Sequence, residues 1–283
     1  MNYSHAYHAG NFADVFKHVV LVMMVQALRK KESPFCYLDT HAGTGQYDLF
    51  SEAAQKTGEA KDGIGRILRK QNIPEAVLDY VTAVREMGGA SDVEEMPRYY
   101  PGSPRLVRNF LRPQDRMVLT ELREEDALAL KQEFHGDAQV GVHHTDGYGA
   151  LKAFLPPKEN RGLVLIDPPF ERPDEFRAAA DALTAAWQRW PRGVYAFWYP
   201  IKDRPPIDKF ERIVKASGIQ KVLVAELCLL PDTRGASLNG CGMLLINPPW
   251  QMDEALRGVL AWLWPRLRTG ELGKTRVEWL VPE

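Results

Sequence analysis

Apolar residues are distributed along this chain in two rhythms: short unbroken runs, and longer stretches in which they recur every third or fourth position. The short runs are Phe35-Cys36-Tyr37-Leu38-Asp39, Met117-Val118-Leu119-Thr120-Glu121, Val140-Gly141-Val142-His143-His144, Leu163-Val164-Leu165-Ile166, Gly193 to Pro200, Lys221 to Leu230 and Cys241 to Asn247. Runs of this length bounded by Gly, Pro and charged residues read as buried strands, the kind that parallel sheets use. Between them lie helical stretches, among them Val15 to Leu28 and Asp174 to Trp190. Strands alternating with helices predict an α/β fold with a mostly parallel sheet. The last two runs flank the loop Pro231 to Gly240, which has hairpin character. The last strand is therefore expected to be antiparallel.

The alternation is interrupted once. After the strand at Phe35 to Asp39 the next convincing strand begins only at Met117, whereas a βαβ unit returns in about thirty residues. Asp62 to Lys70 and Pro74 to Met87 carry helical spacing, broken by Asn72-Ile73-Pro74 and Gly88-Gly89. A helical insertion over 51–112 is expected, set into a core made of 1–50 and 113–283. Tyr99-Tyr100-Pro101-Gly102-Ser103-Pro104 closes it with stiff turn chemistry ahead of a helix from Arg105 to Leu111. The basic residues of the insertion, from Lys61 to Arg112, read equally as a solvated face or as an RNA contact.

Candidate chemistry lies at the strand ends. Leu163 to Ile166 delivers Asp167 and then Pro168-Pro169-Phe170. Tandem prolines lack N–H groups and fix φ, so the turn is rigid and rich in acceptors. An acceptor surface with an aromatic ring suits a planar amino group on a base that has left its stack. The first strand runs into His41-Ala42-Gly43-Thr44-Gly45, a loop in which glycine lets backbone approach a ligand. The dinucleotide fingerprint Gly-x-Gly-x-x-Gly is incomplete because Asp48 stands at its third glycine. This argues against a NAD-dependent oxidoreductase. Asp-x-x-x-Gly-x-Gly instead resembles motif I of S-adenosylmethionine (SAM) enzymes, which makes the expected fold a Rossmann-like SAM-dependent methyltransferase sheet. Glu121 ends the second strand, where such folds place an acid for the ribose hydroxyls. Asp146, followed by Gly147, is placed to reach the adenine of the cofactor. A second copy of the acceptor turn, Asn247-Pro248-Pro249-Trp250, is equally well spelled. It follows the strand expected to run backwards, so its end should point away from Gly43, Glu121 and Asp146, and the site is assigned to Asp167 through Phe170.

Composition narrows the class. Hydrophobic residues make up 45% and charged residues 26% of the 283, with a net charge of −1. That is the balance of a globular protein, with no global basic excess to advertise a nucleic-acid partner. No apolar run has the length of a membrane span and Met1 to His5 lacks signal-peptide regions, so no membrane association and a cytoplasmic location are expected. Cys36, Cys228 and Cys241 lie apart in apolar runs and read as buried free thiols. His5, His8 and His18 fall within Tyr3 to His18, but no spacing typical of a metal site supports them, and no metal is expected.

Taken together, Tyr3-Ser4-His5, His8-Ala9-Gly10-Asn11, Ala13-Asp14-Val15, Lys17-His18, Leu38 to Gly43, Tyr100 to Pro104 and Asp167 to Phe170 resemble the RlmJ family of bacterial 23S ribosomal RNA adenine-N6 methyltransferases. The likeness spans essentially the whole chain. It implies a SAM site lined by Lys17, His18, His41, Gly43, Ser103, Glu121, Asp146, Gly147 and Asp167. It also implies catalysis by Asp167 with Pro168 and Phe170, and contact of Tyr3 and Phe170 with the substrate. The product would be N6-methyladenosine in 23S rRNA and S-adenosylhomocysteine. A monomer is expected, and the chemistry of the residues needs no metal. Guanine N2, adenine in DNA, and a non-catalytic RNA-binding module are the alternatives that the residues alone leave open.

Overall fold

The structure, a computed structural model, describes residues 4–70, 72–89, 95–232 and 238–282. A single 3-10 turn, His5–Tyr7, leads into α1 (Phe12–Arg29). Asn11 caps this helix, its side chain accepting from the backbone N–H groups of Ala13 and Asp14. Then come β1 (Cys36–Asp39), β2 (Gln46–Asp48), α2 (Glu52–Thr57), α3 (Glu59–Asp62), α4 (Ile64–Leu68), α5 (Glu75–Gly88), β3 (Tyr99–Pro101) and α6 (Ser103–Phe110). The second half comprises β4 (Arg116–Glu121), α7 (Glu124–Glu133), β5 (Val140–His144), α8 (Gly147–Phe154), β6 (Gly162–Ile166), α9 (Glu175–Arg189) and β7 (Val194–Ile201). It ends with α10 (Arg204–Ala216), β8 (Val222–Cys228), β9 (Gly240–Ile246), α11 (Met252–Leu267) and β10 (Lys274–Val281).

Eight strands form one sheet in the order β10-β8-β9-β7-β6-β1-β4-β5. Pairings from β7 through β6, β1 and β4 to β5 are parallel. β9 opposes both of its neighbours, β7 and β8, and β10 opposes β8. The mostly parallel sheet with a reversed strand after the hairpin is as the apolar runs predict. Two elements go beyond that expectation. Lys274–Val281 adds an antiparallel edge strand, half-buried and charged, a pattern that carries little hydrophobic signal. Gln46–Asp48 and Tyr99–Pro101 pair as a two-stranded ribbon that closes the insertion, where the proline-rich spelling suggests only turns.

Strand residues alternate between two apolar layers, as a period of two requires. Tyr37, Met117, Leu119, Leu163 and Leu165 face the α1 side, and Leu38, Val118, Val164 and Ile166 face the α9 side. The helices of the insertion join the first layer: Ile64, Ile67, Val77, Tyr80, Val81 and Val84 are fully buried in one cluster with α1 and α11.

Strand direction decides between the two acceptor turns. Ile166 pairs with Phe197 well along β7, so Asp167 emerges at the C-terminal end of the parallel strands beside the loops after β1 and β4. Ile246 pairs with Tyr195 at the start of β7 and with Val222 at the start of β8, so Asn247 emerges at the opposite end.

Candidate active site

A cavity of about 580 Å³ opens at the C-terminal end of the parallel strands, where open α/β sheets bind ligands. It brings together Lys17, His18, His41, Gly43, Ser103, Glu121, Asp167, Pro168 and Phe170. Asp146 and Gly147 are outside its lining. The Asp146 carboxylate accepts from Gly149 N at 2.6 Å and caps α8. A Cβ on Gly147 would come within 2.3 Å of Thr40 O, so that glycine allows α8 to pack on the loop after β1. Tyr3 lies outside the described residues.

The acid at the centre of the cavity is held by a buried chain of charges. Lys17 Nζ donates to Asp167 Oδ2 at 2.6 Å and lies 2.9 Å from Asp14 Oδ1. Asp14 Oδ2 accepts in turn from Gly10 N at 2.9 Å and pairs with His5 Nε2 at 2.9 Å. Asp14 and Lys17 stand three apart on α1, on one helix face. Burial disfavours both charges, but each has partners that outweigh it. His5 and Lys17 hold the Asp14 carboxyl well below the usual range, and Asp14 and Asp167 hold the Lys17 ammonium well above its own. Lys17 takes only one oxygen of Asp167, which leaves Oδ1 to accept from a ligand.

His18 is buried against the insertion. Its Nδ1 lies 2.8 Å from Tyr100 Oη, which is 3.0 Å from Tyr80 Oη, and its Nε2 has no hydrogen-bond partner. Burial first and the Lys17 charge second push its pKa down to about 3. His18 lines the cavity, and a neutral imidazole with a buried, unpartnered nitrogen calls for a polar atom. His41, held at Nδ1 by Thr40 Oγ1 at 2.8 Å, is pushed by burial down to about 4.

The loop after β1 forms the next wall. Gly43 and Gly45 have φ of +61° and +84°, values that favour glycine. A Cβ on Gly43 would meet Tyr47 Oη at 2.2 Å. Glu121 Oε2 accepts from Gly43 N and Oε1 from Arg123 N, both at 2.9 Å. Each oxygen retains a lone pair for a hydroxyl. Asp39 is wholly buried, accepting from Ser103 Oγ at 2.6 Å, Tyr37 Oη at 2.7 Å and His41 N at 3.2 Å. Burial raises its pKa to about 6 against those three donors. Ser103 thus reaches the cavity as the partner of Asp39.

Beyond Asp167 the wall turns apolar. Phe170 has φ of +50°, a conformation that costs an L-residue about 1 kcal/mol or more. Its ring packs at 4.9 Å from Phe176 and 6.0 Å from Trp198. The far copy of the motif is built differently. Asn247 itself takes φ of +52°, and its Nδ2 donates to Pro191 O at 2.8 Å and Gly193 O at 2.7 Å. That turn is tied to the loop between α9 and β7 and has no carboxylate.

Tyr80, Trp198 and Lys202 are the participants that the spelling alone does not single out, while Asp14 and Asp39 gain their roles as buried partners of Lys17 and Ser103. One signal was present, since Asp14, Lys17 and His18 are polar residues set in an otherwise apolar helix. The three N-terminal histidines have separate partners, Asp14, Glu59 and Tyr100, and among the described residues no group of His, Cys, Asp and Glu is arranged to hold a metal ion.

A doubly wound sheet with a reversed strand, a glycine loop after β1, an acid ending β4 and Asp-Pro-Pro-Phe ending β6 defines the Rossmann-like methyltransferases. Comparison with known proteins gives the particular branch. Residues 32–281 match the family described as ribosomal RNA large subunit methyltransferase D, RlmJ. Ribosomal RNA large subunit methyltransferase J of Escherichia coli K12 is 41% identical, and that of Haemophilus influenzae 40% identical, each over the full length of both chains. A crystal structure of a Legionella pneumophila protein superposes with a TM-score of 0.87 at 34% identity, covering 96% of this chain and 98% of the other. The chain belongs to the ribosomal RNA large subunit methyltransferase J family.

Proposed function

We propose that this protein methylates the exocyclic N6 amine of a specific adenine in 23S ribosomal RNA with S-adenosylmethionine, and that Asp167 through Phe170 hold the flipped base. The observation that carries the reading is Asp167 at the end of β6, engaged by Lys17 at one oxygen only and lining one cavity with Pro168 and Phe170.

The residues present fit the cofactor. Glu121 has lone pairs for ribose hydroxyls, the glycine loop offers close backbone, and the orphaned His18 Nε2 is a partner for a polar group. When bound, S-adenosylmethionine supplies an electrophilic methyl group on a sulfonium. The chain supplies the rest. An aryl amine is a weak nucleophile because its lone pair is shared with the ring. Asp167 Oδ1 and the Pro168 carbonyl accept its two N–H bonds, which localises the lone pair and fixes its direction. Asp167 then takes the proton that the nitrogen sheds once it is methylated. Lys17 fixes the carboxylate rotamer while leaving that oxygen free. Phe170 stacks on the base, a contact worth about 1–3 kcal/mol.

The test is transfer of labelled methyl to protein-free 23S rRNA and to assembled subunits, followed by nucleoside analysis. Label in N6-methyladenosine is expected, with kcat lowered about 10²-fold or more in Asp167→Asn. Label confined to N2-methylguanosine or to DNA would overturn the reading.

A further inference from the structure

The charges lining the cavity are distributed unevenly. Five carboxylates face it, Asp14, Asp48, Glu121, Asp126 and Asp167, against three Lys or Arg side chains, Lys17, Arg123 and Lys202. Such a wall repels a polyanion. Two of the cations are already committed: Lys17 to Asp14 and Asp167, and Arg123 to Asp126 at 3.4 Å. Lys202 is exposed, and among the described residues no carboxylate lies within ion-pair distance of it.

Its position is as distinctive as its charge. Lys202 directly follows β7, next to β6, on the flank of Asp167 away from the glycine loop of β1. Trp198 and Pro200, four and two positions back on the same side of β7, line the cavity with it, as does Phe170. The main chain beneath it is pinned: Asn239, fully buried, donates from Nδ2 to Lys202 O at 2.8 Å and from its backbone N to Ile201 O at 2.9 Å. Burying an amide to hold the base of an exposed lysine fixes where that ammonium can reach, although the side chain itself stays mobile.

We infer that Lys202, with Trp198 and Pro200 beside it, forms a subsite for a phosphate of the RNA strand next to the flipped base. The inference rests on the proposed function and adds the place at which the strand crosses the rim. The acidic half of the cavity then serves the cofactor, whose hydroxyls and ammonium need acceptors. The apolar and basic half serves the nucleotide, whose phosphate needs a cation. The strand enters over β7.

The experiment compares Lys202→Glu, Lys202→Ala and Lys202→Arg in the full chain, with Lys158→Glu as a charge control. Lys158 precedes β6 at the opposite end of the sheet. Protein-free 23S rRNA is the substrate, and equilibrium binding of the same RNA is read by anisotropy across a salt series. For Lys202→Ala, KM is expected to rise about 5-fold or more, and the slope of log affinity against log salt to become shallower by about 0.7, the value for one phosphate on a single strand. Lys202→Glu should exceed this, Lys202→Arg should restore most of it, and affinity for S-adenosylhomocysteine by calorimetry should stay constant in all three. An unchanged KM and salt slope in Lys202→Glu, or an equal effect from Lys158→Glu, would overturn the subsite. If the wild type binds RNA but methylates none, the function falls and the binding series still decides on Lys202. If the wild type binds no RNA, both fall.

Discussion

His18 shows how a single residue ties the site to stability. In the unfolded chain its imidazole titrates at its ordinary 6.5, whereas burial in the fold holds it near 3. Between these values the unfolded state carries the extra proton, so the stability due to His18 is complete above pH 6.5 and is lost as pH falls toward 3. His41, pushed down to about 4, acts in the same direction. Asp39 acts oppositely: with its pKa raised to about 6, its contribution is complete below 3.8 and lost as pH rises through 6. His18→Gln is expected to flatten the fall in unfolding free energy between pH 6.5 and 4 by up to about 1.4 kcal/mol per pH unit, one proton's worth. Urea denaturation over a pH series measures this, and an unaltered slope would show that His18 is not the titrating group.

At the scale of the element, the two Pro-Pro turns have the same spelling and different work. The turn after β6 spends its positive φ on Phe170, and the turn after β9 places it on Asn247, where the side chain caps Pro191 O and Gly193 O. Asn247→Ala loses both hydrogen bonds and puts alanine at φ of +52°. The expected cost is about 2 kcal/mol, from roughly 1 for the hydrogen bonds in their partly wet setting and 1 for the backbone. Asn247→Gly should recover the backbone part. Methyl transfer per folded molecule should be retained in both, because the turn stands at the far end of the sheet. Loss of activity at full folding would contradict the assignment of the site to Asp167.

For the molecule as a whole, the insertion is the part that completes the site. Tyr80 from α5 and Tyr100 from β3 back His18, Ser103 from α6 holds Asp39, and Glu59 from α3 holds His8 and Asn11 at the entrance to α1. The same segment contributes Ile64, Ile67, Val81 and Val84 to the cluster shared with α1 and α11. A shared core implies one cooperative transition. Tryptophan fluorescence, reporting mainly on β7, α9 and α11, and far-UV circular dichroism, reporting on every helix, should give coincident urea midpoints. A separate early transition in the helical signal would show that the insertion unfolds on its own.

Much of this was legible in the order of residues, for local reasons. Apolar runs specify buried strands, Asn11 caps a helix wherever it precedes one, and a Pro-Pro turn is rigid in any context. Those features place Asp167, Gly43 and Glu121 at strand ends. Strand order and direction were deduced from winding rules and from the hairpin before β9, and that deduction separates the Asp167 turn from its copy. What only the tertiary structure decided are the relations between distant segments. Lys17 reaches Asp167 across 150 positions of sequence, Ser103 reaches Asp39, and β10 joins the sheet through pairing rather than through an apolar pattern. Asp146, which the sequence assigns to the cofactor site, also caps α8, with one oxygen accepting from Gly149 N. The physical reason is common to all of these: propensity and periodicity act within a few residues, whereas a buried charge takes whatever partner the folded chain brings to it.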